Sequence, residues 1–83
     1  MQKTLYTKEN QVLLLLLSDS RKKAGLTQVQ LGTILDEDQT FVSKVERGVR
    51  RLDLIELDLW CEAVGLTLPA FIQRYEQMLG RAS

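Results

Sequence analysis

Residues 24–48, AGLTQVQLGTILDEDQTFVSKVERG, constrain the fold more than any other part of the chain. Thr27 is placed to cap a helix over residues 28–35 through its side-chain oxygen, and Asp38 to cap a second over 39–47. Gly48 stops the second helix at the position where glycine most often follows a helix end. Asp36-Glu37-Asp38 lies between them, too short and too polar for anything but a turn. At helical spacing Leu31, Ile34 and Leu35 on the first helix and Val42 and Val45 on the second predict the core between the two.

The rest of the chain predicts three more helices around this pair. Thr7 caps one over 8–24, ended by Gly25. Leu13, Leu17 and Ala24 share a face of it at about 100° per residue and are expected to pack on the central pair. Leu14 and Leu15 lie off that stripe and need a cover, either the C-terminal helix or a second subunit. The C-terminal helix is favoured, because Phe71, Ile72, Tyr75 and Leu79 offer a matching apolar face. Asp53 with Glu56 three residues on has capping-box spacing and starts a fourth helix over 54–64. That helix is expected to bury Leu54 or Ile55, Leu57, Trp60, and Cys61 or Val64, and to end at Gly65. Thr67 caps the last, over 68–79, with Pro69 tolerated in its first turn. The expectation is one compact all-α, five-helix domain covering 1–83.

Composition narrows the function. Eighty-three residues bury about 60–65% of the unfolded surface. The single cysteine, Cys61, rules out an internal disulfide and fits a reducing compartment, hence a cytoplasmic protein. The apolar run 13–17 is too short to cross a bilayer, so no membrane role is expected. No histidine is present, no Gly-rich phosphate loop occurs, and Cys61 sits beside Trp60 on an apolar stretch. An enzyme is not expected, nor is a metal, a cofactor or a small-molecule ligand: three acids in a row on a turn lack the spacing of an oxygen-ligand loop.

Net charge is zero, but it is unevenly placed. Residues 21–51 hold seven Lys/Arg against four acids, net +3, and residues 52–83 hold two against five, net −3. Positive charge therefore gathers around the central pair of helices. With Val42 and Val45 inward, the second helix presents Thr40, Ser43, Lys44 and Arg47 outward, and Gln39 at its N-terminal end. Polar hydrogen-bonding residues in that position suit a helix that lies in the major groove of DNA. Gln39 can pair bidentately with adenine, Thr40 can meet a thymine methyl or a phosphate, and Lys44 suits guanine or phosphate.

Arg21, Ala24 to Gln28, Leu31, Ile34 with Leu35, Phe41 to Gly48 and Arg51-Leu52-Asp53 together resemble the Cro/repressor-like (XRE-type) helix-turn-helix regulators over about residues 13–75. The resemblance implies a lambda-repressor-like fold with the helix-turn-helix at the second and third helices. It supports Gln39, Thr40, Ser43 and Lys44 as the base-facing set. It implies that Gln28 clamps the DNA backbone, with Thr27 beside it chiefly as a cap. Arg47, Arg50 and Arg51 follow the reading helix and are expected to grip phosphates. Arg21 and Glu46 occupy positions that form a structural ion pair in similar proteins. Phe41 flanks the inward stripe, as core or as an aromatic at a DNA or subunit boundary.

Two positions depart from the pattern: Ser20, where the family has a large apolar residue, and the acidic turn, where it more often has Gly at 36 and an apolar residue at 37. Asp36 can still take a left-handed conformation. The function expected is a transcriptional regulator, a repressor binding double-stranded DNA as a homodimer at a partly palindromic operator. The alternative is a protein-interaction module on the same fold, an antitoxin or adaptor holding a protein partner.

Overall fold

The computed structural model describes residues 7–81. Five helices follow one another: α1 (Lys8–Lys23), α2 (Gln28–Ile34), α3 (Gln39–Glu46), α4 (Leu54–Ala63) and α5 (Leu68–Met78), with no strand among the described residues. Each begins where a side chain accepts from the third backbone N–H of the helix: Thr7 from Asn10, Thr27 from Gln30, Asp38 from Phe41, Asp53 from Glu56 and Thr67 from Ala70. Each helix ends about one residue before the span predicted from sequence, because the last residue serves as the C-cap.

Trp60, Phe71, Leu17, Leu31, Val42, Val45 and Cys61 are essentially inaccessible and form the centre of the core. Helices α2 and α3 pack closely on each other, α1 lies against both α3 and α5, and α4 packs on α5. The Cys61 thiol is pushed up to about 11, with burial as the main cause, as befits an inert core sulfur.

Several apolar expectations are overturned. Ile34 is 54% exposed; Leu31 and Leu35, one turn apart, take the inward line of α2, and Ile34 lies to the side of it. The inward stripe of α1 is Val12, Leu16 and Leu17 with Ser20 and Arg21; Leu13 is only half-buried and Ala24 is an exposed C-cap. Arg21 lies on this inward face and pairs there with Glu46. Ser20 is buried in place of a large apolar residue, its hydroxyl donating to the Leu17 carbonyl at 2.9 Å. Leu14 is half-buried and Leu15 exposed. On α4 neither Leu54 nor Ile55 is buried, since Trp60 and Cys61 claim the inward face; on α5 Ile72 is exposed beside buried Phe71. Phe41 is half-buried against the core.

The turn between α2 and α3 depends on two backbone features. Asp36 has φ 57°, in the left-handed region, where its short side chain is tolerated. Gly32 is buried, and a Cβ there would lie 2.7 Å from the backbone carbonyl carbon and oxygen of Asp38. The Glu37 N–H donates to the Gly32 carbonyl at 2.7 Å and closes the turn. Gly32→Ala is expected to lower stability by about 1–3 kcal/mol, because backbone must shift to admit the methyl group. Chemical denaturation followed by circular dichroism tests this; an unchanged midpoint would refute the close approach.

Candidate nucleic-acid interface

Burial of Val42 and Val45 fixes which way α3 faces. Gln39, Thr40, Lys44 and Arg47 are exposed on the other side, and Ser43 is half-buried among them. The Arg47 Nε donates to the Ser43 carbonyl at 3.3 Å, holding the stem of that side chain along the helix.

A chain of polar contacts runs from the end of α1 to the start of α3. Arg21 Nε lies 2.6 Å from Glu46 Oε2, and Arg21 Nη2 donates to Glu46 Oε1 at 3.1 Å. The remaining Nη1 donates to the Leu26 carbonyl at 2.8 Å. Gln28 Nε2 donates to the same Glu46 Oε1 at 3.1 Å, and Gln39 Nε2 donates to Gln28 Oε1 at 3.4 Å. Arg21 and Glu46 side chains are about nine-tenths buried, so the pair is shielded from salt and its geometry is held. Gln39, at the exposed end, keeps its carbonyl oxygen and one N–H free. That donor–acceptor couple has the spacing adenine offers in the major groove.

Of the other residues singled out from sequence, Thr27 is an N-cap whose box is completed by Gln30. The spacing Thr-x-x-Gln is the local signal for this box in the sequence. Lys44, Arg47 and Arg51 are exposed and carry no ion pair among the described residues. Arg50 is differently placed. Its guanidinium grips Glu56 of α4 bidentately, Nη1 to Oε1 at 3.0 Å and Nη2 to Oε2 at 2.5 Å. It also stacks over the Phe41 ring, 5.1 Å from the centroid, and donates to the Arg51 carbonyl. Sequence gave no signal for this arrangement, because the partner depends on the path of the loop. The Asp38 carboxylate is occupied in capping α3, whereas Asp36 and Glu37 are exposed and free of ion pairs among the described residues.

Two short helices, α2 and α3, packed on each other across a tight turn, form a helix-turn-helix unit, and comparison with known proteins agrees. The helix-turn-helix family model matches residues 17–71. The chain belongs to this family, in its XRE-type branch, and is a DNA-binding regulator in general character. It is similar to a solved structure, an XRE-family like protein from Pseudomonas syringae pv. tomato str. DC3000, at 40% identity and a TM-score of 0.79, over 94% of this chain and 98% of the other. No curated protein matches the chain. No helix among the described residues is long and apolar enough to cross a membrane.

Two measurements test the geometry. Arg21→Met strands the Glu46 carboxylate in the core and is expected to cost about 3–5 kcal/mol in denaturant unfolding, with much of it recovered when Glu46 is also replaced by Leu. A loss no larger than that of an exposed pair would refute the burial. The Arg50 guanidinium holds the Glu56 carboxyl below the ordinary value of 4.5, helped by the Asp53 N–H. Because the folded carboxyl titrates lower than the unfolded one, the contribution of the pair is present above the unfolded value. It is lost as pH falls through the lower folded value. A carbon-13 NMR titration is expected to give a Glu56 midpoint below 4.5 that rises in Arg50→Ala.

Proposed function

We propose that this protein is a sequence-specific repressor that binds a partly palindromic operator as a homodimer, with α3 in the major groove. The observation that carries the reading is the orientation of Gln39. It stands at the exposed N-terminal end of α3, with its amide 3.4 Å from the Gln28 amide oxygen, on a helix whose buried Val42 and Val45 set the outward face. Gln39, Thr40, Ser43 and Lys44 face the bases; Gln28, Thr27, Arg47 and Arg51 lie at the backbone. Repression then needs only occupancy of a promoter.

One such helix reads too few base pairs for specificity, and two copies related by a two-fold axis supply the rest. The most exposed large apolar residues are Val49, Leu54 and Ile55, at 66%, 67% and 73%. All three lie just after α3, in the loop and the first turn of α4, and together they offer an apolar contact. The described residues extend 35 × 28 × 20 Å. In the proposed dimer the two α3 helices enter successive major grooves on one side of DNA, about 34 Å apart.

Selection from a random duplex library tests this. An inverted repeat is expected, lost or relaxed at one position per half-site in Gln39→Ala, with affinity falling steeply as salt rises. Ile55→Asp is expected to keep the fold and lower operator affinity by weakening the dimer. No enriched sequence at low or moderate salt would sink the proposal.

A further inference from the structure

We propose that Glu56, acting through Arg50, is a positioning residue for the reading helix, and that Arg50 therefore does not belong to the phosphate-binding set. This rests on the reading of α3 as the base-reading element. Helix α3 packs mainly on α2 and α1, and α4 mainly on α5; direct contact between α3 and α4 is slight. The Arg50 guanidinium bridges that gap. One edge is filled by both oxygens of Glu56, and one face lies over Phe41, the residue between base-facing Thr40 and buried Val42. The Arg50 side chain stays 43% exposed, but the edge of the fork that suits a phosphate is taken by Glu56 and one face by Phe41.

Both ends of the bridge are anchored. Glu56 Oε1 accepts from the Asp53 N–H at 2.9 Å, so the carboxylate is fixed by the capping box of α4. The N–H groups of Val49 and Arg50 donate to the Lys44 carbonyl at 2.9 and 3.1 Å, so the loop is fixed to the last turn of α3. A continuous set of contacts thus runs from the first turn of α4 to the ring of Phe41. Leu54 and Ile55 lie on the same turn as Glu56, and a second copy seated there bears on the link directly.

Glu56→Gln is the discriminating variant, because glutamine still completes the capping box but gives up the charged fork. Dissociation constants are measured over a salt series for the selected operator and for random duplex DNA. Backbone amide exchange of residues 40–44 is measured in the free protein. The expected result is about a 3- to 30-fold fall in the ratio of operator to random-duplex affinity, with random-duplex affinity no weaker than in the wild type, and faster exchange in α3. Arg50→Lys, which keeps the charge without the fork, is expected to behave the same way. A general loss of folded protein would instead weaken both DNAs alike.

Three outcomes overturn the proposal: an unchanged ratio of operator to random affinity in Glu56→Gln, unchanged amide exchange, or a salt slope that drops by about one in Arg50→Met, the mark of a lost phosphate contact. If the wild type selects no operator, the base-reading assignment fails, and the positioning role fails with it. Faster exchange in Glu56→Gln would then still identify a tether between α3 and α4, which separates the two failures.

Discussion

The rest of the molecule is arranged around one buried ion pair. Arg21 and Glu46 are 25 residues apart, at the ends of α1 and α3, and each needs the other because an unpaired charge buried to this degree is costly. Three donors of Arg21 and both oxygens of Glu46 are used. The pair therefore specifies a distance and a rotation as well as an attraction. Nearly isotropic hydrophobic contacts among Leu17, Leu31, Val42 and Val45 would tolerate some sliding of α3; a bidentate pair in a low-dielectric setting tolerates far less. The direction in which Gln39 and Lys44 face solvent is a consequence.

Polarity propagates outward from that pair in steps of decreasing burial. Glu46 takes a second donor from Gln28, and Gln28 takes one from Gln39, so the outermost amide inherits an orientation set in the interior. Supporting shells of this kind are how a side chain that must recognise a ligand avoids losing rotamer freedom at the moment of binding. The Arg50 bridge does the corresponding work on the other flank of α3, in a wetter place and with an aromatic face as its second partner.

Much of this was legible in the chain, for local reasons. Thr7, Thr27, Asp38, Asp53 and Thr67 are short polar residues directly before apolar-periodic segments, and a cap is satisfied by its own next three residues, so sequence suffices. The pair of short helices and the turn were readable on the same grounds, and so was the left-handed Asp36. Periodicity failed where adjacent residues are both apolar. It could not choose between Ile34 and Leu35, or foresee that Leu54 and Ile55 would both be left outside, since the choice is made by the helix that arrives to cover them. Gly32 was unreadable for a related reason: its missing side chain matters only because the backbone of Asp38 passes 2.7 Å from where a Cβ would stand. Arg50 looked like its neighbours Arg47 and Arg51 until the loop brought it to Glu56.

The acidic turn can be weighed in the same terms. Of its three carboxylates, Asp38 is spent on the Phe41 N–H and on the positive end of α3, so its charge is partly compensated within the protein. Asp36 and Glu37 are exposed, and in the proposed docking they would approach the phosphates that Arg47 and Arg51 are meant to hold. Exposed charges beyond about 8–10 Å are largely screened at physiological salt, so their effect falls mainly on the nearest phosphate contacts. Backbone attraction is the part of affinity that carries no sequence information. Two acids that weaken it, with Arg50 withdrawn to Glu56, lower binding to all DNA alike and leave the base-facing side chains to decide where the protein stays. On that view the departure from an apolar turn lowers affinity for operator and random DNA by the same factor, and discrimination stays with the base-facing side chains.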